Sequence, residues 1–124
     1  MCINRTNTKF YSCTYIQIMD LQEQTNSFGR DLRAVKSRIS SYQREQRMNA
    51  VTVSQIEPVE ESVPLYRSVG KAFVFASKSE VKERIEKENA DITKNLSDLA
   101  DRHEYLERRI ASNTSNLKDM TAGL

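Results

Sequence analysis

The sequence has no tryptophan, and only 38% of its 124 residues are hydrophobic. A chain of this length and composition has little material for the thick core of a globular domain. Two prolines and three glycines leave long stretches of polar helix-forming residues uninterrupted. Such a composition is typical of elongated helices that share a narrow apolar seam, and it favours burial that is completed by another chain.

Cysteine is scarce, and Cys2 and Cys13 both lie near the start of the chain. Neither has Cys or His neighbours at the spacing of a zinc site, so we predict no metal site, no disulfide framework and a reducing compartment. The first 19 residues contain no acidic residue and weakly resemble an organelle transit peptide. The alternatives for residues 1–15 are a disordered extension, an extension of the first helix and a mis-assigned start codon.

Long apolar runs and concentrated charge are also missing. The chain contains neither a signal-peptide core nor the roughly 20 apolar residues that cross a bilayer, so we expect a soluble cytoplasmic protein. Its 19 basic and 17 acidic residues are interleaved and give a net charge of +2. Neither nucleic acid nor an anionic membrane is therefore predicted as a partner.

Two stretches repeat apolar residues at alternating steps of three and four, which places them on one stripe of a helix. We predict helix 1 over about 16–50 and helix 2 over about 77–121, packed as a long antiparallel coiled coil in a mainly α fold. One hypothetical register places Leu32 opposite Leu99 and Tyr42 opposite Asn89; a shift of one heptad also keeps the stripes in contact. The predicted seam residues are Phe28, Leu32, Val35, Ile39, Ile85, Ile92, Leu96, Leu99 and Leu106.

Between the two stripes, residues 63–76 form a short apolar island after a connector over 51–62. Helix 1 should end near Ala50, before a β-branched run and two prolines. The island predicts a β-hairpin whose three-residue loop ends at Gly70 with a positive φ. Ser77 and Glu80 then have the spacing of a capping box that begins helix 2. Both faces of the second strand are apolar, so the hairpin should pack against neighbours from other subunits.

The runs LYRSVGKAFVFASKSEV and EYLERRIASNTSNLKDM resemble the β-type subunits of prefoldin, over roughly Leu21 to Met120. Tyr66, Val69, Gly70 and the strand from Phe73 to Phe75 are the most specific part. The resemblance implies a chaperone hexamer of α-type and β-type subunits, joined through their hairpins. Such a complex binds unfolded polypeptides, notably actin and tubulin, and passes them to the cytosolic chaperonin without nucleotide or other cofactor.

Two sets of residues are assigned on this resemblance. The assembly set lies in the hairpin and contains Leu65, Tyr66, Val69, Gly70, Phe73, Val74 and Phe75. The client-binding set lies at the chain ends, where flexible aliphatic side chains can adapt to many apolar segments. It contains Ile16, Ile18, Met19, Leu21, Ile110, Leu117, Met120 and Leu124.

Enzyme signals are weak. The fragment SVGKA resembles the end of a phosphate-binding loop, but the upstream glycine is missing and Ala72 replaces the hydroxyl residue that would hold a metal ion. A single histidine within a seam, His103, is typical of a tolerated core residue rather than a base. The alternative function is a coiled-coil adaptor or scaffold, which explains the two stripes but not the hairpin. A helical DNA-binding dimer is weaker still, because no basic block adjoins the first stripe.

Overall fold

The computed structural model describes the backbone of residues 7–123 and the side chains of residues 14–123. Two long helices flank an antiparallel hairpin: helix α1 is Asn7–Ile56, strand β1 is Leu65–Val69, strand β2 is Ala72–Ala76 and helix α2 is Lys78–Ala122. The predicted fold class, two long helices with one hairpin between them, is confirmed.

Helix α1 begins at Asn7, so the described part of the predicted N-terminal extension continues the first helix. Residues 1–6, which include Cys2, lie outside the described residues, as does Leu124 at the other end of the chain. The side chain of Cys13 is likewise outside the described part.

The predicted end of helix 1 near Ala50 is wrong, because α1 continues to Ile56. β-branched residues cost less than about 1 kcal/mol each in a helix, which is too little to stop a long one. The Thr52 hydroxyl also donates a 2.9 Å hydrogen bond to the carbonyl of Met48 one turn earlier. The helix ends just before Pro58, whose ring disfavours the helical conformation of the preceding residue. The connector is correspondingly shorter than predicted.

The chain divides into two compact units, each built from parts of both helices. One unit contains the residues up to Ser37 and those from Ala100 onward, and the other is Arg38–Leu99. In the first unit the buried apolar side chains are Ile18, Val35 and Leu106. In the second they are Ile85 and Ile92.

The contacts inside each unit decide the helix register. In the second unit the Asn49 amide donates a hydrogen bond to Oδ1 of Asn89 at 2.9 Å, whereas the hypothetical register had placed Tyr42 there. Tyr42 instead accepts a 3.4 Å hydrogen bond from Nδ2 of Asn95. That register is therefore wrong by one heptad. The observed alignment brings two amides together, and each satisfies the other's need for a polar partner.

Side chains of the two helices also meet in the first unit. The guanidinium of Arg109 lies over the ring of Phe28, 5.5 Å from its centroid. Arg102 reaches Asp31 with an N···O distance of 3.9 Å across the two helices. Both ion-pair partners are at least half exposed, so this contact contributes little to stability.

Within residues 7–123, neither helix combines the length and the apolar content that a bilayer-spanning segment needs. Among the described side chains, no group of three or more His, Cys, Asp or Glu residues is placed to hold a metal ion.

Candidate functional site

The hairpin is joined to α2 by a reciprocal cap. The backbone N–H of Ser77 donates to Oε2 of Glu80 at 3.1 Å, and the backbone N–H of Glu80 donates to Oγ of Ser77 at 3.3 Å. These two bonds confirm the predicted capping box. Because β2 ends at Ala76 and α2 begins at Lys78, Ser77 alone connects the hairpin to its helix.

The turn of the hairpin is tighter than predicted. Val69 pairs directly with Ala72, so the loop contains two residues, Gly70 and Lys71, and the predicted three-residue loop is wrong. The predicted positive φ is confirmed, with a value of 61° at Gly70. No described non-glycine residue has a positive φ, which matches a type II′ turn with glycine at its first central position. Such a turn follows the natural twist of the two strands.

One face of the hairpin consists of aromatic side chains. Tyr66 is paired with Phe75 across the strands, and Phe73 lies two residues away on the same face. Their side chains are 64%, 62% and 74% exposed, respectively. The rings of Tyr66 and Phe75 meet edge to face, with centroids 6.3 Å apart, which is a favourable geometry for an aromatic pair.

The opposite face of the hairpin carries aliphatic side chains around Arg67, which is paired with Val74, and it is also exposed. Val69 and Val74 lie on it, each nearly half exposed, while Leu65 at the start of β1 is half-buried. In the described chain each strand pairs along one edge, so the outer edges of β1 and β2 carry unpaired backbone groups. A lone hairpin with exposed apolar side chains on both faces and two open edges is marginal in water, and pairing with further strands would cover both.

Lysines of α2 hold the connector that leads into the hairpin. Nζ of Lys78 donates to the carbonyls of Glu57 and Val59, both at 2.9 Å. Nζ of Lys82 lies 2.6 Å from the Glu57 carboxylate. This hydrogen bond, and then the charge of Lys82, lower the pKa of Glu57 below its ordinary value. Sequence reasoning missed this anchor, whose signal was a pair of lysines four residues apart facing an acidic connector.

Strand β1 and the two helices enclose a cleft of about 440 Å³ within the second unit. Polar and apolar side chains both line it, and three consecutive residues of β1, Tyr66 to Ser68, form one wall. The other lining residues are Asn49, Thr52, Ile56, Leu65, Val81, Arg84, Ile85 and Glu88.

The described members of the predicted client-binding set fall into three groups by exposure. Ile16 and Met19 are 56% and 50% exposed, and the neighbouring Tyr15, which sequence reasoning missed, is 64% exposed. Ile18 is buried, at 8% exposed, and belongs to the seam rather than to an open surface. The remaining described members are half-buried: Leu21, Ile110, Leu117 and Met120.

The predicted seam residues are all buried or half-buried. Val35, Ile85, Ile92 and Leu106 are buried, and Leu106 is the most buried of these at 1% exposed. The others are half-buried: Phe28, Leu32, Ile39, Leu96 and Leu99. A narrow seam of this kind leaves most of each helix in contact with water.

Comparison with known proteins identifies the family. Residues 19–123 match the family model described as "Prefoldin subunit". A probable prefoldin subunit 1 of Dictyostelium discoideum is 22% identical over 105 residues, which cover 82% of this chain and 88% of that protein. Prefoldin subunit 1 of Arabidopsis thaliana is 22% identical over 107 residues, with coverages of 86% and 84%.

A search of solved structures found the prefoldin beta subunit from Thermococcus strain KS-1, at 23% identity and a TM-score of 0.44, covering 86% of this chain and 88% of that one. The family model includes the whole hairpin, all of α2 and most of α1. On the strength of that match, the chain belongs to the prefoldin subunit family, a family of chaperones.

Proposed function

We propose that this protein is a non-enzymatic, cytoplasmic chaperone subunit of a hetero-hexameric prefoldin complex. In this proposal it assembles with other α-type and β-type subunits and binds unfolded or nascent polypeptides such as actin and tubulin. It then delivers them to the cytosolic chaperonin. Family membership supports the chaperone role and the assembly with other prefoldin subunits.

The exposed aromatic face of the hairpin carries the proposal. Burial of one large apolar side chain stabilises an assembly by about 1.5–3 kcal/mol, so covering Tyr66, Phe73 and Phe75 would contribute several kcal/mol. Pairing of the open strand edges with neighbouring hairpins would satisfy their backbone groups at the same time. The proposed assembly residues are the seven of the hairpin set, from Leu65 to Phe75.

The proposed client-binding surface lies at the chain ends. Ile16 and Met19 are exposed aliphatic side chains on α1, and Leu117 and Met120 are half-buried on α2 within the same unit. Methionine and long aliphatic side chains change rotamer easily, which lets one surface accept many apolar segments. Such capture needs neither a cofactor nor a metal ion.

Native mass spectrometry of complexes isolated with this chain from its own cells tests the proposal. A stable six-member set of similarly small subunits, with this chain as one member, is the expected result. Recovery of a homodimer, or of a single unrelated large partner, would contradict the hexamer and support the adaptor alternative.

A further inference from the structure

A second exposed face lies near the end of α1, away from the seam. Arg44, Arg47, Met48 and Val51 follow the spacing i, i+3, i+4, i+7, which places them side by side on one face of a helix. We call these four residues the 44–51 patch. All four are exposed, with Met48 at 62% and Val51 at 52%, while Asn49 on the seam side is half-buried.

The 44–51 patch combines two cationic side chains with two exposed apolar ones, Met48 and Val51. Among the described side chains, neither Arg44 nor Arg47 takes part in an ion pair. Glu45 is exposed three residues before Met48 and so borders the patch, but it forms no ion pair with either arginine.

The two positive charges of the patch indicate which class of molecule can bind there. A second copy docked symmetrically through the same face would bring two pairs of arginines together, and like charges repel. Proteins bind nucleic acid chiefly through many contacts to phosphates. The patch has only two cations, and Met48 and Val51 cannot contact phosphates favourably. An amphipathic helix with carboxylates beside its apolar residues complements both parts of the patch.

We propose that the 44–51 patch docks an acidic amphipathic helix of a partner polypeptide. Met48 and Val51 pack against the apolar residues of that helix, and Arg44 and Arg47 pair with its carboxylates. The site shares no residue with the assembly set or with the client-binding set.

A pair of designed peptides tests the proposal. The first is a fluorescein-labelled amphipathic helix with leucine on one face and glutamate beside it, and the second has lysine in place of every glutamate. Fluorescence anisotropy measures their binding to the full chain, alone and in its complex. The wild-type protein should bind the glutamate peptide at least about tenfold more tightly than the lysine peptide.

Two double variants assign the binding to the patch. Arg44→Glu with Arg47→Glu should reverse the preference between the peptides, because the charges are exchanged. Met48→Gln with Val51→Gln should weaken binding of the glutamate peptide about tenfold while leaving its preference unchanged. Glutamate and glutamine are good helix formers, so the helical circular dichroism signal of both variants should match that of the wild type. Arg38→Glu, an exposed change outside the patch, should leave both affinities unchanged.

The proposal is overturned if the charge-reversed variant keeps the wild-type preference, or if the glutamine variant binds as tightly as the wild type. Binding to phosphatidylserine vesicles or RNA that depends on the arginines but not on Met48 and Val51 would also overturn it, in favour of a purely electrostatic surface. The peptide assay uses the single chain as well as the complex. Its outcome can therefore be told apart from a failure of hexamer assembly.

Discussion

The side-chain amide of Asn49 on α1 donates a 2.9 Å hydrogen bond to Oδ1 of Asn89 on α2. Both residues occupy seam positions that would otherwise take an aliphatic side chain. A polar pair inside an apolar seam contributes less to stability than two leucines, but it pairs in one alignment only. This hydrogen bond therefore gives the second unit a fixed register at some cost in stability.

Replacing one asparagine and replacing both should change stability in opposite directions. Asn89→Leu alone leaves the half-buried amide of Asn49 without its partner and should lower the free energy of unfolding by about 1 kcal/mol. The double change to leucine removes both amides and should raise it above wild type. Urea unfolding followed by circular dichroism measures both, and Asn95→Ala, whose bond to Tyr42 is a longer 3.4 Å, serves as the control. A single variant that is more stable than the wild type would refute this account.

Gly70 should be essential for assembly because of its backbone conformation. A Cβ at this position would meet no heavy atom within 4 Å, so the penalty for a side chain comes from the φ of +61° alone. We expect Gly70→Val to distort the turn and abolish hexamer formation while most of the helical signal remains. Native mass spectrometry and circular dichroism measure the two effects, and an intact hexamer of the variant would count strongly against assembly through the hairpin.

Gly29 provides a matched comparison, since its Cβ would also meet nothing within 4 Å but it lies inside α1 with an ordinary helical φ. Gly29→Ala should raise the free energy of unfolding by about 1 kcal/mol and leave assembly unchanged. A destabilised Gly29→Ala protein would show that helical glycines in this chain have another role.

Removal of the cap at the start of α2 should destabilise the chain. Ser77→Ala deletes the Oγ that accepts the Glu80 N–H bond and should cost about 1 kcal/mol. Thermal unfolding of the variant measures this loss. Ser79→Ala is the control, because its side chain contacts Oγ of Ser77 but does not accept a backbone bond of the cap. An equal loss from both substitutions would contradict the assignment of the cap to Ser77.

The Glu57–Lys82 pair should make the free energy of unfolding depend on pH in the acidic range. The pKa of Glu57 is lowered in the folded chain from its ordinary value of 4.5, so the folded state favours the ionised carboxylate. This contribution is present above about pH 4.5 and is lost as the pH falls through the lowered pKa. Wild type should exceed Glu57→Gln in stability near neutral pH, and the two should converge in acid. A constant difference across this range, measured by urea unfolding, would exclude the mechanism.

Client capture should depend on the exposed side chains at the chain ends. Ile16→Ser with Met19→Ser removes two exposed apolar groups without opening the seam, so the complex should stay assembled and protect unfolded actin less well from aggregation. Light scattering of diluted denatured actin measures the protection. Met48→Gln, an exposed change elsewhere on α1, should leave it unchanged. Protection at the wild-type level by the Ile16, Met19 variant would show that client binding lies elsewhere.

The sequence by itself determined the elements that arise from local chemistry. The alternation of apolar residues gave the two helices, Ser77 and Glu80 gave the start of α2, and Gly70 gave a position with positive φ. Each of these depends on residues within a few positions of one another, so no distant contact is needed to predict it. The family followed from the same local pattern around the hairpin.

Tertiary structure alone decided the register and the exposure of individual side chains. A heptad pattern repeats, so its own periodicity cannot distinguish two alignments one heptad apart, and the amides of Asn49 and Asn89 settle the choice only once the helices meet. Ile16 and Ile18 were both predicted to bind clients, yet Ile16 is exposed and Ile18 is buried. The physical reason is that burial depends on the facing helix, which lies many residues away along the chain.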